Sequence, residues 1–370
     1  MHLGIPRLVR RTALAALLAL LCAPSGAQAA TALSHTFEKA IWGPVTTDAG
    51  TSAFPIYHRL GVDTFQIQLT WAATARRRPA DATDSRDPAY HWPAEIREAV
   101  RMGRRYGIRI AIMVKGTPAW ANGGGDVTVP PTSDSDIADF FTAATKHYPG
   151  VRRWMVWGEP GRLANWSPLP QHQPDAPRRY ATLLEASYQA IKRASLRNVV
   201  IGGMTFTAGD VFPAEWVQWM RLPSGRPPHL DWWGHNPFSF RPPVLADHPY
   251  FKGGRDISDL DTLHTEIAAA YSGAHMRVPR LWISEFTVSS DHANRAFAFF
   301  VTRAEQAAWL TAGFAIARRV DAAGIGWFGL FDEAATLENP TTFGLLDAAG
   351  KPKPAFDAYR SVRSAPPASY

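Results

Sequence analysis

"RRWMVWGEP", residues 152 to 160, is a short apolar run that stops on a single carboxylate, Glu159, with Pro160 directly behind it. Tryptophan, methionine and valine in succession, closed by glycine and proline, read as a buried strand and the turn that ends it. A lone acid at such a strand end is compatible with a rim residue, a partner in a buried ion pair or a catalyst. Recurrence separates these readings, and the arrangement recurs in "RLWISEF", residues 280 to 286, another apolar run that closes on Ser284, Glu285 and Phe286.

Working outward from these two, β-rich runs are expected at Phe37 to Gly43, Thr64 to Thr70, Arg109 to Val114, Arg153 to Trp157, Val199 to Phe206, Leu230 to His235, Arg280 to Phe286 and Gly324 to Phe331. Amphipathic helical stretches lie between them: "PAEIREAVRMGRRYG", "DSDIADFFTAATKHY", "APRRYATLLEASYQAIKRA" and "NRAFAFFVTRAEQAAWLTAGFAIARRV". Gly107 stands where a left-handed cap should end the first, and Ser290 with Asp291 are the expected cap of the last. Eight strand-helix units in one chain of this length predict an α/β fold, a single (β/α)8 barrel over residues 30 to 365, rather than a doubly wound sheet with a second domain. The paired glycines of "IGGMTF", residues 201 to 206, fall within an expected strand and not in a turn opening a helix, which argues against a nucleotide loop. The proline-rich pieces at 128 to 131, 168 to 178 and 222 to 243 read as rim loops, and 366 to 370 as a loose tail.

Arg7, Arg10 and Arg11, an apolar run from Ala13 to Ala23 and then Ala27-Gln28-Ala29 have the order of a secretory signal peptide, so residues 1 to 29 are expected to be removed and the protein exported. The one cysteine, Cys22, lies in that segment. An exported chain of about 340 residues without disulfides must be held by its core, and it is long enough to bury a large one. No later apolar run is long enough to cross a bilayer. The formal charge is +7, and removing the three signal arginines leaves a mildly basic +4. The cluster Arg76-Arg77-Arg78 is short and followed by Asp81 and Asp84, which reads as a solvated loop, so no nucleic-acid partner is expected. His235 has no second histidine, cysteine or carboxylate at metal-ligand spacing, no serine elbow is present, and neither a metal nor a cofactor is expected.

In such a barrel the reacting groups gather at the C-terminal ends of the strands. Glu159 and Glu285 then meet across one mouth although 126 residues separate them. Two carboxyls are what glycoside hydrolysis requires: one protonated, to give its proton to the leaving oxygen, and one ionised, to attack the anomeric carbon. At a separation of about 5 to 5.5 Å the second acts as nucleophile and configuration is retained. Asp332 and Glu333, also near the expected mouth, read as rim or subsite residues.

The chain resembles clan A of the glycoside hydrolases, and within it the family 5 and family 39 kinds of barrel. "MVWGEPGR" is similar to the motif after strand four and "LWISEFT" to that after strand seven. Further matches are "KGTPAWA", "WWGHNPF", "GIGWFGLFDE" and "FGLLDAAGKPKPAFDAYR", so the resemblance runs from about residue 36 to 364. It implies that Glu159 is the acid/base and Glu285 the nucleophile of a retaining glycosidase acting on a carbohydrate. It also implies that Trp327, at the end of strand eight, floors the sugar site. Trp71, Trp120, Trp157 and Trp166, in or after strand ends, are expected to offer flat faces to sugar rings, while Trp154, Trp216, Trp219 and Trp309 read as packing residues.

Two departures stand out. The clan has asparagine before the acid/base, where its amide contacts the sugar 2-hydroxyl, and this chain has Gly158; Asn236, Arg162 and Gln68 are the candidate substitutes. Where the clan presents a tyrosine to the nucleophile, this chain has Phe238, which leaves His235 as the expected polar partner. Gly158 keeps a second reading open, a carbohydrate-binding protein that has lost turnover, and transglycosylation is a third. The sugar, its linkage and internal or terminal cleavage depend on loops 120 to 133, 160 to 178 and 236 to 256.

Overall fold

Every expected strand forms, and each is one member of a closed parallel barrel in sequence order, β1 to β8. The computed structural model describes residues 37–245, 249–294 and 297–362. The strands are β1 (Glu38–Trp42), β2 (Thr64–Thr70), β3 (Arg109–Lys115), β4 (Arg153–Val156), β5 (Val199–Phe206), β6 (Trp232–Asn236), β7 (Arg280–Phe286) and β8 (Gly324–Phe328). Nine α-helices accompany them among the described residues: α1 (Phe54–Leu60), α2 (Trp71–Thr74), α3 (Ala94–Tyr106), α4 (Asp134–His147), α5 (Asp175–Ala194), α6 (Pro213–Trp219), α7 (Leu260–Ser272), α8 (Arg303–Arg319) and α9 (Pro354–Ser361). None of these helices is long and apolar enough to cross a membrane. The expected signal segment, 1 to 29, and the tail, 366 to 370, lie outside the described residues.

Alternation along each strand sorts its side chains between the helix-facing layer and the barrel interior. On β3, Ile110, Ile112 and Val114 belong to the main core under the helices, while Ala111 and Met113 do not. On β8 the main core takes Ile325 and Trp327. The alternate positions, Gly324 and Gly326, point inward: a Cβ on Gly326 would stand 2.3 Å from Gln66 Nε2 and 2.4 Å from the Ser284 carbonyl. The amphipathic helices complete the outer layer; α3 buries Ile96, Ala99 and Met102 and ends at Gly107, whose left-handed φ of 69° suits glycine. Truncating a buried isoleucine of this layer to alanine costs roughly 2–5 kcal/mol.

The floor of the barrel is polar. Glu38, buried on β1, accepts from Arg153 Nε at 2.9 Å and Thr64 Oγ1 at 2.7 Å. This carboxylate is neutralised by its partners and sits at the opposite end from the strand-end glutamates.

One local expectation needs correction and one holds. The last helix does not start after Ser290 and Asp291: Thr302 caps it, accepting from the Glu305 amide while Glu305 returns a bond to the Thr302 amide. That capping box is the stronger start signal, and Ser290 instead bridges to Val301. The paired glycines are structural, as expected from their place in a strand. A Cβ on Gly202 would stand 2.5 Å from Leu184 of α5, and Gly203, at φ 78°, lies against the Trp233 ring. They let α5 pack closely and open a register shift in β5.

Candidate active site

Both glutamates reach the mouth because strand alternation breaks just before them. On β4, Trp154 and Val156 belong to the outer core, and strict alternation would turn Trp157 inward. Trp157 instead takes φ 68°, stays in the outer core and is followed by Glu159 at φ 47°. On β7 the register against β8 shifts between Ile283 and Phe286. Phe286 therefore remains outside, packed against Gly313 of α8, and Glu285 is aimed at the interior.

The loop after β4 surrounds Glu159 with its own donors. Backbone bonds from Arg162 to the Glu159 carbonyl and from Asn165 and Trp166 to the Arg162 carbonyl wind it into a tight turn. Arg162 Nη1 then donates to Glu159 Oε2 at 2.7 Å, and Asn165 Nδ2 to the same oxygen at 3.2 Å. From β6, Asn236 Nδ2 donates to Oε1 at 2.9 Å. Lys115, the last residue of β3, donates to Asn165 Oδ1 at 2.7 Å. Asn236 is buried and its Oδ1 has no partner, an acceptor held at the centre of the site.

The electrostatics of the pair are unequal. Burial first, and then the negative charge of Glu159, push the Glu285 carboxyl up to about 8, against the pull of Lys115, Arg162 and Asn236. Burial also lowers Lys115, against the attraction of both glutamates. Three N–H donors are spent on Glu159, and the raised Glu285 carboxyl keeps its proton at neutral pH.

Gly158 lies against β3. A Cβ there would stand 2.8 Å from Met113 Sδ, so Met113 and the Lys115 stem occupy the space of the missing side chain. Of its three candidate substitutes, Asn236 and Arg162 do reach Glu159. Gln68 bonds Thr70 Oγ1 at 3.1 Å and stands exposed.

Several expected contacts are elsewhere. His235 is not a partner of Glu285: it faces outward, with Nδ1 2.8 Å from Thr205 Oγ1 and Nε2 2.9 Å from the Arg255 carbonyl, and burial lowers it to about 4. It is a neutral bracket between β5, β6 and the following loop. Strand parity is the reason, because Trp233 and His235 share one face of β6 while Gly234 and Asn236 share the other. Trp327 is fully buried on the outer face of β8, its indole donating to the Phe343 carbonyl at 2.9 Å, and offers no floor to a sugar. Phe328, half-buried and next in sequence, takes the inward position.

Trp71 is buried against Phe140 of α4, and Trp157 and Trp166 are buried on each other, so none of the three presents a face to a ligand. Trp157 still matters to the site, because its indole holds the Asn165 carbonyl at 2.8 Å. Trp120 is half-buried with the Arg78 guanidinium 4.4 Å above its ring. Asp332 is no rim residue: it is buried, paired with Lys353 at 2.9 Å. Glu333 accepts from the Thr341 amide. Lys115, Asn165, Phe206 and Phe328 were not among the expected site residues; each is a strand-end or near-turn position, and inner-face parity marks Phe328, whereas Phe206 turns inward through the register shift in β5.

A hollow of about 490 Å³ lined by Asp261, His264 and Arg319 lies outside the barrel and contains neither glutamate.

No protein-family model matches the chain, and no curated protein does. Solved structures similar to it include a family 39 glycoside hydrolase from Bacteroides cellulosilyticus WH2, at 18% identity and a TM-score of 0.64, covering 88% of this chain and 63% of that one. A monomeric beta-xylosidase from Caulobacter crescentus CB15 has 17% identity and a TM-score of 0.60, with 89% of this chain and 68% of that one covered. A glucosidase from Croceicoccus marinus has 15% identity and a TM-score of 0.60, with 88% and 69% covered. The chain thus spans 63% to 69% of the length of these three structures, and what it shares with them is the barrel fold.

Proposed function

We propose that this chain hydrolyses O-glycosidic bonds with retention of configuration, Glu159 serving as acid/base and Glu285 as nucleophile. The observation that carries the reading is the carboxyl pair at the barrel mouth, close enough for the charge of Glu159 to raise Glu285, with Asn236 donating to Glu159 from the strand between. The roles follow the motifs after strands four and seven, and the fold shared with a xylosidase, a glucosidase and a family 39 glycoside hydrolase supports them.

Turnover starts with the shared proton moving from Glu285 to Glu159. The Glu285 carboxylate then attacks the anomeric carbon, the bond to the leaving oxygen breaks, and that oxygen takes the Glu159 proton and departs as an alcohol. Ionised Glu159 next takes a proton from water, whose oxygen attacks the same carbon. The ester to Glu285 breaks and the sugar leaves with its original configuration. The unpartnered Asn236 Oδ1 is the acceptor for a substrate hydroxyl in place of the amide that Gly158 lacks. An exported protein with this chemistry would meet its glycan outside the cell. The test is nuclear magnetic resonance of the first-formed sugar anomer: retention supports the roles, and inversion removes Glu285 as nucleophile.

One observation favours a second reading, a glycan-binding protein without turnover. Glu159 is held by three donors, one of them charged, and none of these must leave for a sugar merely to bind.

A further inference from the structure

The mouth is chemically two-sided. Around β2 to β4 it is polar, with Gln68, Lys115, Asn165 and Arg162. Around β5 to β8 it is phenylalanine. Phe206 at the end of β5 touches Phe238 (ring centroids 5.7 Å apart), Phe238 touches Phe297 (5.2 Å), Phe297 touches Phe343 (5.4 Å) and Phe343 touches Phe328 at the end of β8 (6.1 Å). Five rings from separate strands and loops thus form one continuous arc on the side of the mouth that holds Glu285; Phe206, Phe297 and Phe328 are half-buried and can face a ligand, and the buried Phe238 and Phe343 support them from behind. The arc begins at the catalytic pair itself, because the Arg162 guanidinium that grips Glu159 lies 4.5 Å over the Phe206 ring.

The arc continues outward. Phe240, 55% exposed, packs against Phe297, and the loops after β6, β7 and β8 also expose Val244, Tyr250, Phe300 and Leu337. Among the described residues eight large apolar side chains are exposed, five of them on the loops after β6, β7 and β8, two, Val127 and Leu163, on the loops after β3 and β4, and one, Leu196, at the other end of the barrel. Water-exposed apolar groups concentrated on the carboxylate-bearing face mark a contact surface for an apolar ligand.

Resting on the glycosidase reading, we propose that the substrate is a glycoside with an apolar aglycone, the sugar seated against the polar half of the mouth and the aglycone along the phenylalanine arc. A second sugar unit would bring several hydroxyls that phenylalanine, valine and leucine side chains cannot serve, whereas an alkyl chain or aromatic ring needs none served. Arg162 joins Glu159 to Phe206, so the departing oxygen of such an aglycone would receive its proton at the start of the arc. Hydrolysis releases the aglycone as a free alcohol with one proton from water and leaves the hydroxyl of water on the sugar.

The experiment compares methyl, octyl and benzyl glycosides of a panel of pentoses and hexoses, both anomers, below the micelle concentration. All three are alcohol leaving groups, so differences report contact with the aglycone. The expected result is a kcat/KM for the octyl or the benzyl glycoside about tenfold or more above the methyl glycoside of the same sugar. Preference for octyl alone identifies a lipid-linked source, and preference for benzyl alone an aromatic one. Phe240→Ser and Leu337→Ser, on separate loops, should each reduce that ratio several-fold, while Leu196→Ser at the far end leaves it unchanged. Equal kcat/KM for all three, or a disaccharide outrunning them, overturns the apolar site and leaves the glycosidase standing. If nothing is cleaved, calorimetry with octyl and methyl glycosides decides separately: tighter octyl binding, weakened by Phe240→Ser, upholds the apolar site without turnover, and equal binding overturns it.

Discussion

Asn236 Nδ2 stands 2.9 Å from Glu159 Oε1, joining the end of β6 to the end of β4 across the barrel mouth. The same side chain keeps Oδ1 buried without a partner, so it spans the carboxylate and the position a substrate hydroxyl would take. Asn236→Ala should lower kcat/KM by about 10² while the melting temperature stays close to that of the parent protein. An unchanged kcat/KM would remove Asn236 from the site and leave Gly158 without a substitute.

Gly158 cannot simply be returned to asparagine. Its Cβ would stand 2.8 Å from Met113 Sδ, so Gly158→Asn should cost roughly 1–3 kcal/mol of stability and should not raise turnover. Denaturant unfolding and initial rates on one substrate read both effects. A stable variant with higher kcat would mean that Met113 yields readily and that the clan's arrangement fits this barrel after all.

Stability should fall as pH rises. Glu285 is raised in the folded protein to about 8 from an ordinary value of 4.5, so it keeps a proton there that the unfolded chain has lost. Its favourable contribution is complete below about 4.5 and disappears as pH climbs through about 8, with a slope on the order of 1 kcal/mol per pH unit between them. Glu285→Gln cannot ionise, so it should flatten that slope and be more stable than the parent at pH 8. Parallel stability curves for the two proteins would contradict the placement of the proton.

Arg162 grips Glu159 at 2.7 Å, and its charge also holds down the raised Glu285 carboxyl. Arg162→Gln removes that pull, so the alkaline limb of the kcat/KM profile, where the pair loses its shared proton, should move upward. A limb that stays in place, with activity reduced evenly at every pH, would assign Arg162 to substrate contact alone.

The barrel was legible because eight apolar runs end in turn residues and alternate with amphipathic segments; seven residues of β2 and eight of β5 match to the residue. The two glutamates were legible for the same reason, as acids at strand ends. Side-chain direction was less so. Trp327 and His235 sit one residue from the inward positions held by Phe328 and Asn236, and a one-residue change of parity moves a side chain from mouth to core. Parity along β6 and β8 was available in the sequence, but the local breaks that re-aim Trp157, Glu159 and Glu285 are backbone events without a sequence mark. Lys115 and Asn165 were invisible for another reason: their meeting at Glu159 depends on a turn closed by long-range contacts such as the Trp157 indole on the Asn165 carbonyl.

The most direct measurement is sugar release by the protein across plant, fungal and bacterial glycans and simple alkyl glycosides, run beside Glu285→Gln and Glu159→Gln. The account predicts release from at least one substrate and its loss by about 10³ or more in both folded variants. Release that survives in Glu285→Gln, or none from any substrate by a folded parent protein, would contradict it.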